Sequence, residues 1–78
     1  MTKELNRPLD LLNSSRNKNV MLELTSGKTY SGNLISFDIH INVVLENARE
    51  IIDGESSSNI GSVFFRGDAV VLISPSTI

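Results

Sequence analysis

The sequence predicts a mainly β domain: a short N-terminal helix, then a strongly bent five-stranded antiparallel sheet that forms a partly open barrel and assembles into rings. Three observations predict it. Apolar residues near the start recur with helical spacing. From Lys18 onward they recur every second residue, in short runs separated by turn-forming residues. The last two runs are apolar on both faces, in a chain too short to cover them itself.

The helix is expected at about residues 6–14. Asn6 can cap it, and Pro8 suits its first turn, where a missing N–H has no partner to lose. Leu5, Leu9 and Leu12 form one apolar stripe, and Asn13-Ser14-Ser15 ends the helix. So short a helix is not stable alone in water, so the stripe must lie on the sheet.

The first strand, about 18–26, places Val20, Leu22 and Leu24 on one face, and Ser26-Gly27 turns the chain. The second, about 28–38, contains Gly32, which marks a bulge or sharp bend. Residues 38–40 are a short connection. The third strand, about 41–53, alternates through Ile41, Val43 and Leu45. Residues 53–59 (DGESSSN) read as an exposed loop and the segment most prone to disorder. The fourth strand is about 59–66, Arg66-Gly67-Asp68 is a tight turn, and the fifth strand is about 69–74, stopped by Pro75.

Val63-Phe64-Phe65 and Val70-Val71-Leu72-Ile73 are unbroken apolar runs. An exposed apolar edge pairs with foreign strands unless something covers it. Head-to-tail pairing between identical subunits covers it and closes into a ring when the rotation permits. Self-association also suits a chain of 78 residues, one domain, with no cysteine to form disulfides.

Composition excludes several classes. Without cysteine and with one histidine, no metal site is expected, and no cofactor. No nucleophile–base pair or phosphate-cradling glycine loop points to an enzyme, so no catalytic residues are expected. Residues 1–6 are polar, and no apolar run approaches the roughly 20 residues of a spanning helix, so a soluble cytoplasmic protein without membrane contact is expected. The net charge of −2 does not announce a nucleic-acid binder, so any positive charge used for one must be local.

Residues 20–47, with Gly27, Gly32, Leu34, Phe37, Asp38, Asn42 and Leu45 as landmarks, resemble the first motif of the Sm and Sm-like family. Val63-Phe64-Phe65-Arg66-Gly67-Asp68-Ala69-Val70 resembles its second motif, and Arg7-Pro8-Leu9-Asp10-Leu11-Leu12 its N-terminal helix. The chain looks most like a minimal archaeal member, and the likeness covers nearly all of it. Ile41 stands where many relatives carry methionine.

The resemblance implies a ring, usually a heptamer, joined through the fourth strand of one subunit and the fifth of the next. It implies binding of single-stranded, U-rich RNA at the inner rim, as scaffold or chaperone in RNA processing or ribonucleoprotein assembly, with RNA-processing proteins as candidate partners. Carried onto this sequence, Asn42 would read the edge of a uracil, and Asp38 would orient that amide. His40 and Arg66 would stack on opposite faces of the base. Gly67 would let the backbone approach it, and Asp68 would brace the turn. Arg66, repeated around the pore, would supply the local positive charge.

Taken singly, these residues have plainer readings: His40 as a loop histidine, Asn42 as a turn former, Arg66 as a surface ion-pair partner of Asp68. The second reading of the whole chain is a structural assembly subunit that recruits proteins without touching RNA.

Overall fold

The structure is a computed structural model, and it describes residues 8–76. Leu5, Asn6 and Arg7, used above for the helix stripe, its cap and the N-terminal motif, lie outside the described residues.

Helix α1 is Pro8–Ser14. Leu12 is buried and Leu9 packs beside it on the core, so the stripe does lie on the sheet. A chain of turns follows, with Ser15 N–H donating to the Leu12 carbonyl and Lys18 N–H to that of Ser15. These hand the chain to β1, Asn19–Leu24, in which Val20 and Leu22 are fully buried. Strand β2 is Thr29–Phe37 and β3 is Val43–Ile52; each strand from β1 to β3 pairs antiparallel with the next.

The sheet bends where β2 meets β3. Their register shifts between Ser31 and Asn33, beside Asn47, whose φ is +54°. Gly32 lies at this shift. A Cβ there would stand 3.1 Å from both the Ala48 Cα and the Glu46 carbonyl oxygen, so the strands come this close only with glycine. The bend folds Val20, Leu22, Leu34, Val43, Leu45, Ala48 and Phe65 into one core with Leu12. The Tyr30 ring tilts against that of Phe65, centroids 5.1 Å apart.

The serine-rich segment differs from its expected disorder. Asp53 and Gly54, φ +53° and +81°, form a two-residue hairpin turn, and Glu55–Ser56 pairs back on β3 as a sixth strand, β4. Ser57 then bonds Glu50 twice, through its N–H and its Oγ, and Arg49 donates to the Ser57 carbonyl. Asn59 bonds Asn47 and accepts from the Gly61 N–H. The backbone of Glu50 and the side chains of Arg49 and Asn47 thus pin the segment to β3.

The expected fourth and fifth strands are β5, Gly61–Phe65, and β6, Val70–Pro75. Ile41, Asn42 and Asp53 fall outside β3, and residues 59–60 outside β5. The last strand ends at Pro75, one residue beyond its expected bound, with Pro75 in register with Val20 and the Ser76 N–H donating to the Asn19 carbonyl. Proline is accepted there because β6 is an edge. The order is β4-β3-β2-β1-β6, with β5 on the far side of β3, so β5 and β6 are both edges and do not pair with each other. Phe64, Val71 and Leu72, all on these strands, are 61%, 61% and 49% exposed.

Candidate functional site

Register brings the two motifs together. Val43 opens β3 and Phe65 closes β5, and the two are paired. The residues just before Val43 and just after Phe65 therefore lie side by side: the β2–β3 connection, 38–42, and the β5–β6 connection, 66–69.

Asp38 organises the first connection. Its Oδ1 accepts from the backbone N–H groups of His40, at 2.8 Å, and Asn42, at 3.1 Å. Its Oδ2 accepts from Asn42 Nδ2 at 3.0 Å. The Asn42 amide is the main influence that holds the Asp38 carboxyl below its usual 3.8; desolvation opposes it next, and the two backbone N–H groups and the imidazole of His40 add to the lowering.

The second connection is a single 3₁₀ turn, Gly67–Ala69, closed by Ala69 N–H to the Arg66 carbonyl. Gly67 N–H donates to Asn42 Oδ1 at 2.8 Å across 25 residues of sequence. This bond fixes the amide. A carboxylate can only accept and a backbone N–H can only donate, so Nδ2 must face Asp38 and Oδ1 must face Gly67. One N–H and one oxygen lone pair of Asn42 remain.

The structure therefore brings Asp38, Asn42 and Gly67 into one network, with His40 joined through its backbone. A Cβ on Gly67 would overlap the His40 carbonyl oxygen and lie 2.9 Å from the Ile41 carbonyl carbon. Glycine is thus required for the two connections to interlock, a demand that no single stretch of sequence displays. Arg66 and Asp68 form an exposed ion pair, 3.1 Å apart. Arg66 is therefore not a bare positive charge within its own chain, because the Asp68 carboxylate lies beside it. Its planar guanidinium remains available for stacking. Ile41, read as a strand residue, instead occupies a left-handed turn at φ +62°.

The chain matches the LSM domain over residues 10–75. It is 47% identical to an Sm-like protein of Methanosarcina barkeri over 70 residues, 90% of this chain and 97% of that one. It is 48% identical to an Sm-like protein of Archaeoglobus fulgidus over 69 residues, 88% and 90% of the two chains. Among solved structures it resembles the Pyrococcus abyssii Sm protein in complex with a uridine heptamer, with 45% identity, a TM-score of 0.84, and coverage of 91% of this chain and 100% of that one. A heptameric archaeal Sm protein superposes with a TM-score of 0.78 at 42% identity, covering 83% of this chain and 94% of its own. Helix, bent sheet, interlocked connections and relatives agree: the chain belongs to the LSM-domain family of Sm and Sm-like proteins.

Proposed function

We propose that this single-domain chain forms a homo-oligomeric ring, a heptamer, and binds single-stranded, uridine-rich RNA at its inner rim, as a scaffold or chaperone in RNA processing. The observation that carries the reading is the locked Asn42 amide, bonded by Asp38 on one side and Gly67 on the other. Its spare N–H matches a uracil O4 and its spare lone pair matches the uracil N3–H. A free amide could invert and serve cytosine equally well; a locked one cannot. His40 and Arg66 flank this amide in sequence and on the neighbouring turn, and in this reading they stack on the two faces of the base. Asp68 holds the guanidinium in place.

The uridine-bound and heptameric relatives support both halves of the proposal. Each pocket alone is weak, and several around one pore bind one strand more tightly through effective concentration. The protein acts here as a binder with no catalytic step. No helix among the described residues is long and apolar enough to cross a membrane, and we place the protein in the cytoplasm, where RNA-processing proteins are its candidate partners.

Binding of oligo-U, oligo-C and oligo-A to the purified ring tests this. Oligo-U is expected to bind tightest, and Asn42→Ala and Arg66→Ala each to weaken it by about tenfold, the size of one lost charged or stacked contact. Equal affinity for all three, indifferent to both substitutions, would contradict the pocket, and no binding of any of them would leave the structural-subunit reading in its place.

A further inference from the structure

Ile41 carries a backbone conformation that its side chain opposes. Its φ is +62°, in the left-handed region, where a β-branched side chain is a genuine outlier. The other described non-glycine residues with positive φ are Asn17, Asn47 and Asp53, types that accept it readily. Such a conformation persists only where its surroundings fix it.

Those surroundings are visible on three sides. The Ile41 side chain is half-buried and packs against the core. The Ile41 N–H donates to the Asp38 carbonyl at 3.0 Å, and the Asp38 N–H to the Asn42 carbonyl at 3.2 Å, closing the turn on itself. On the far side the backbone of His40 and Ile41 lies against Gly67. Ile39 is 74% exposed, and Asp38 and His40 are exposed too. The bonds Asp38 makes are therefore open to competition from water, and Ile41 is the apolar anchor of the connection.

We propose that Ile41 is a positioning residue of the base pocket. Its side chain seats the left-handed turn on the core, and this holds His40 and Asn42, on either side of it, against Gly67. The proposal rests on the reading of that pocket as the RNA site, but the seating itself can be measured without RNA.

The test uses the full chain with three variants. Ile41→Gly and Ile41→Asn both suit the backbone and both lack the anchor; Ile41→Leu keeps an anchor of equal size without the branch at Cβ. Two quantities are read: hydrogen exchange at the Gly67 amide, which Asn42 protects only while the turn is seated, and affinity for oligo-U. Both anchor-less variants are expected to form rings of native mass with native exchange in β1–β3. Their Gly67 amide should exchange about tenfold faster and oligo-U bind about tenfold more weakly, since apparent affinity falls with the fraction of competent pocket. Ile41→Leu should restore both.

Native exchange and native affinity in Ile41→Gly and Ile41→Asn would overturn the proposal, because backbone compatibility alone would then suffice. Loss of the ring in both would also overturn it, making Ile41 a residue of the fold. If the unsubstituted ring ignores oligo-U, the RNA reading fails, and the exchange at Gly67 still decides the role of Ile41.

Discussion

Asp38 and Asn42 form a unit whose state can be titrated. The Asn42 amide is the main cause of the lowered Asp38 pKa. Because the folded value lies below 3.8, the network is complete above that pH and is lost as pH falls through the lower folded value. The carboxyl carbon of Asp38, followed by NMR, should titrate below 3.8, and Asn42→Ala should move its midpoint upward toward that value; an unmoved midpoint would mean the amide does not hold the carboxylate. These two residues were legible only through the first family motif, whose resemblance implied that Asp38 orients the Asn42 amide; taken singly, Asn42 read as a turn former. The Gly67 bond to Asn42 was not legible, since it spans 25 residues and depends on the Val43–Phe65 register. The Arg66–Asp68 pair was foreseen only as the plainer alternative, and it lowers the weight of simple charge attraction in any RNA binding.

Elements meet here through close approach. Gly67→Ala would drive a methyl into the His40 carbonyl, part of the other connection's backbone. We expect a loss of about 1–3 kcal/mol, the usual range for overpacking, together with loss of Gly67 amide protection. Denaturant unfolding of the two proteins checks the first, and an unchanged midpoint would refute the interlock. Strand identity was legible where alternation was clean, as in Val20 and Leu22. It blurred in β3, where the irregularity at Asn47 breaks period two and puts Ala48 on the core face after Leu45. The Asp53-Gly54 turn and the short β4 after it were missed, because the serines that follow made residues 53–59 read as one exposed loop. Their bonds to Glu50 and Arg49 are tertiary facts, invisible to composition.

At the scale of the molecule, two edge strands are the surfaces through which the proposed ring would close. β5 and β6 flank the open sheet without pairing with each other, and they expose Phe64, Val71 and Leu72. Apolar edges of this kind require a partner. A buried, unpaired charge on this edge should oppose assembly, so Val71→Glu is expected to shift the solution mass toward the protomer, read by light scattering. A ring unaffected by that charge would place the interface elsewhere. The exposed apolar residues of β5 and β6 were legible in sequence as the unbroken runs Val63-Phe64-Phe65 and Val70-Val71-Leu72-Ile73, which lack the alternation of a strand with one wet face.

Native mass spectrometry of the protein mixed with a short uridine oligonucleotide, and separately with an adenosine one, tests the central claim most directly. One ring of identical 8.6 kDa chains carrying one uridine strand, and no adenosine strand under the same conditions, is the expected result. A single 8.6 kDa species, or rings that take both strands equally, would contradict it.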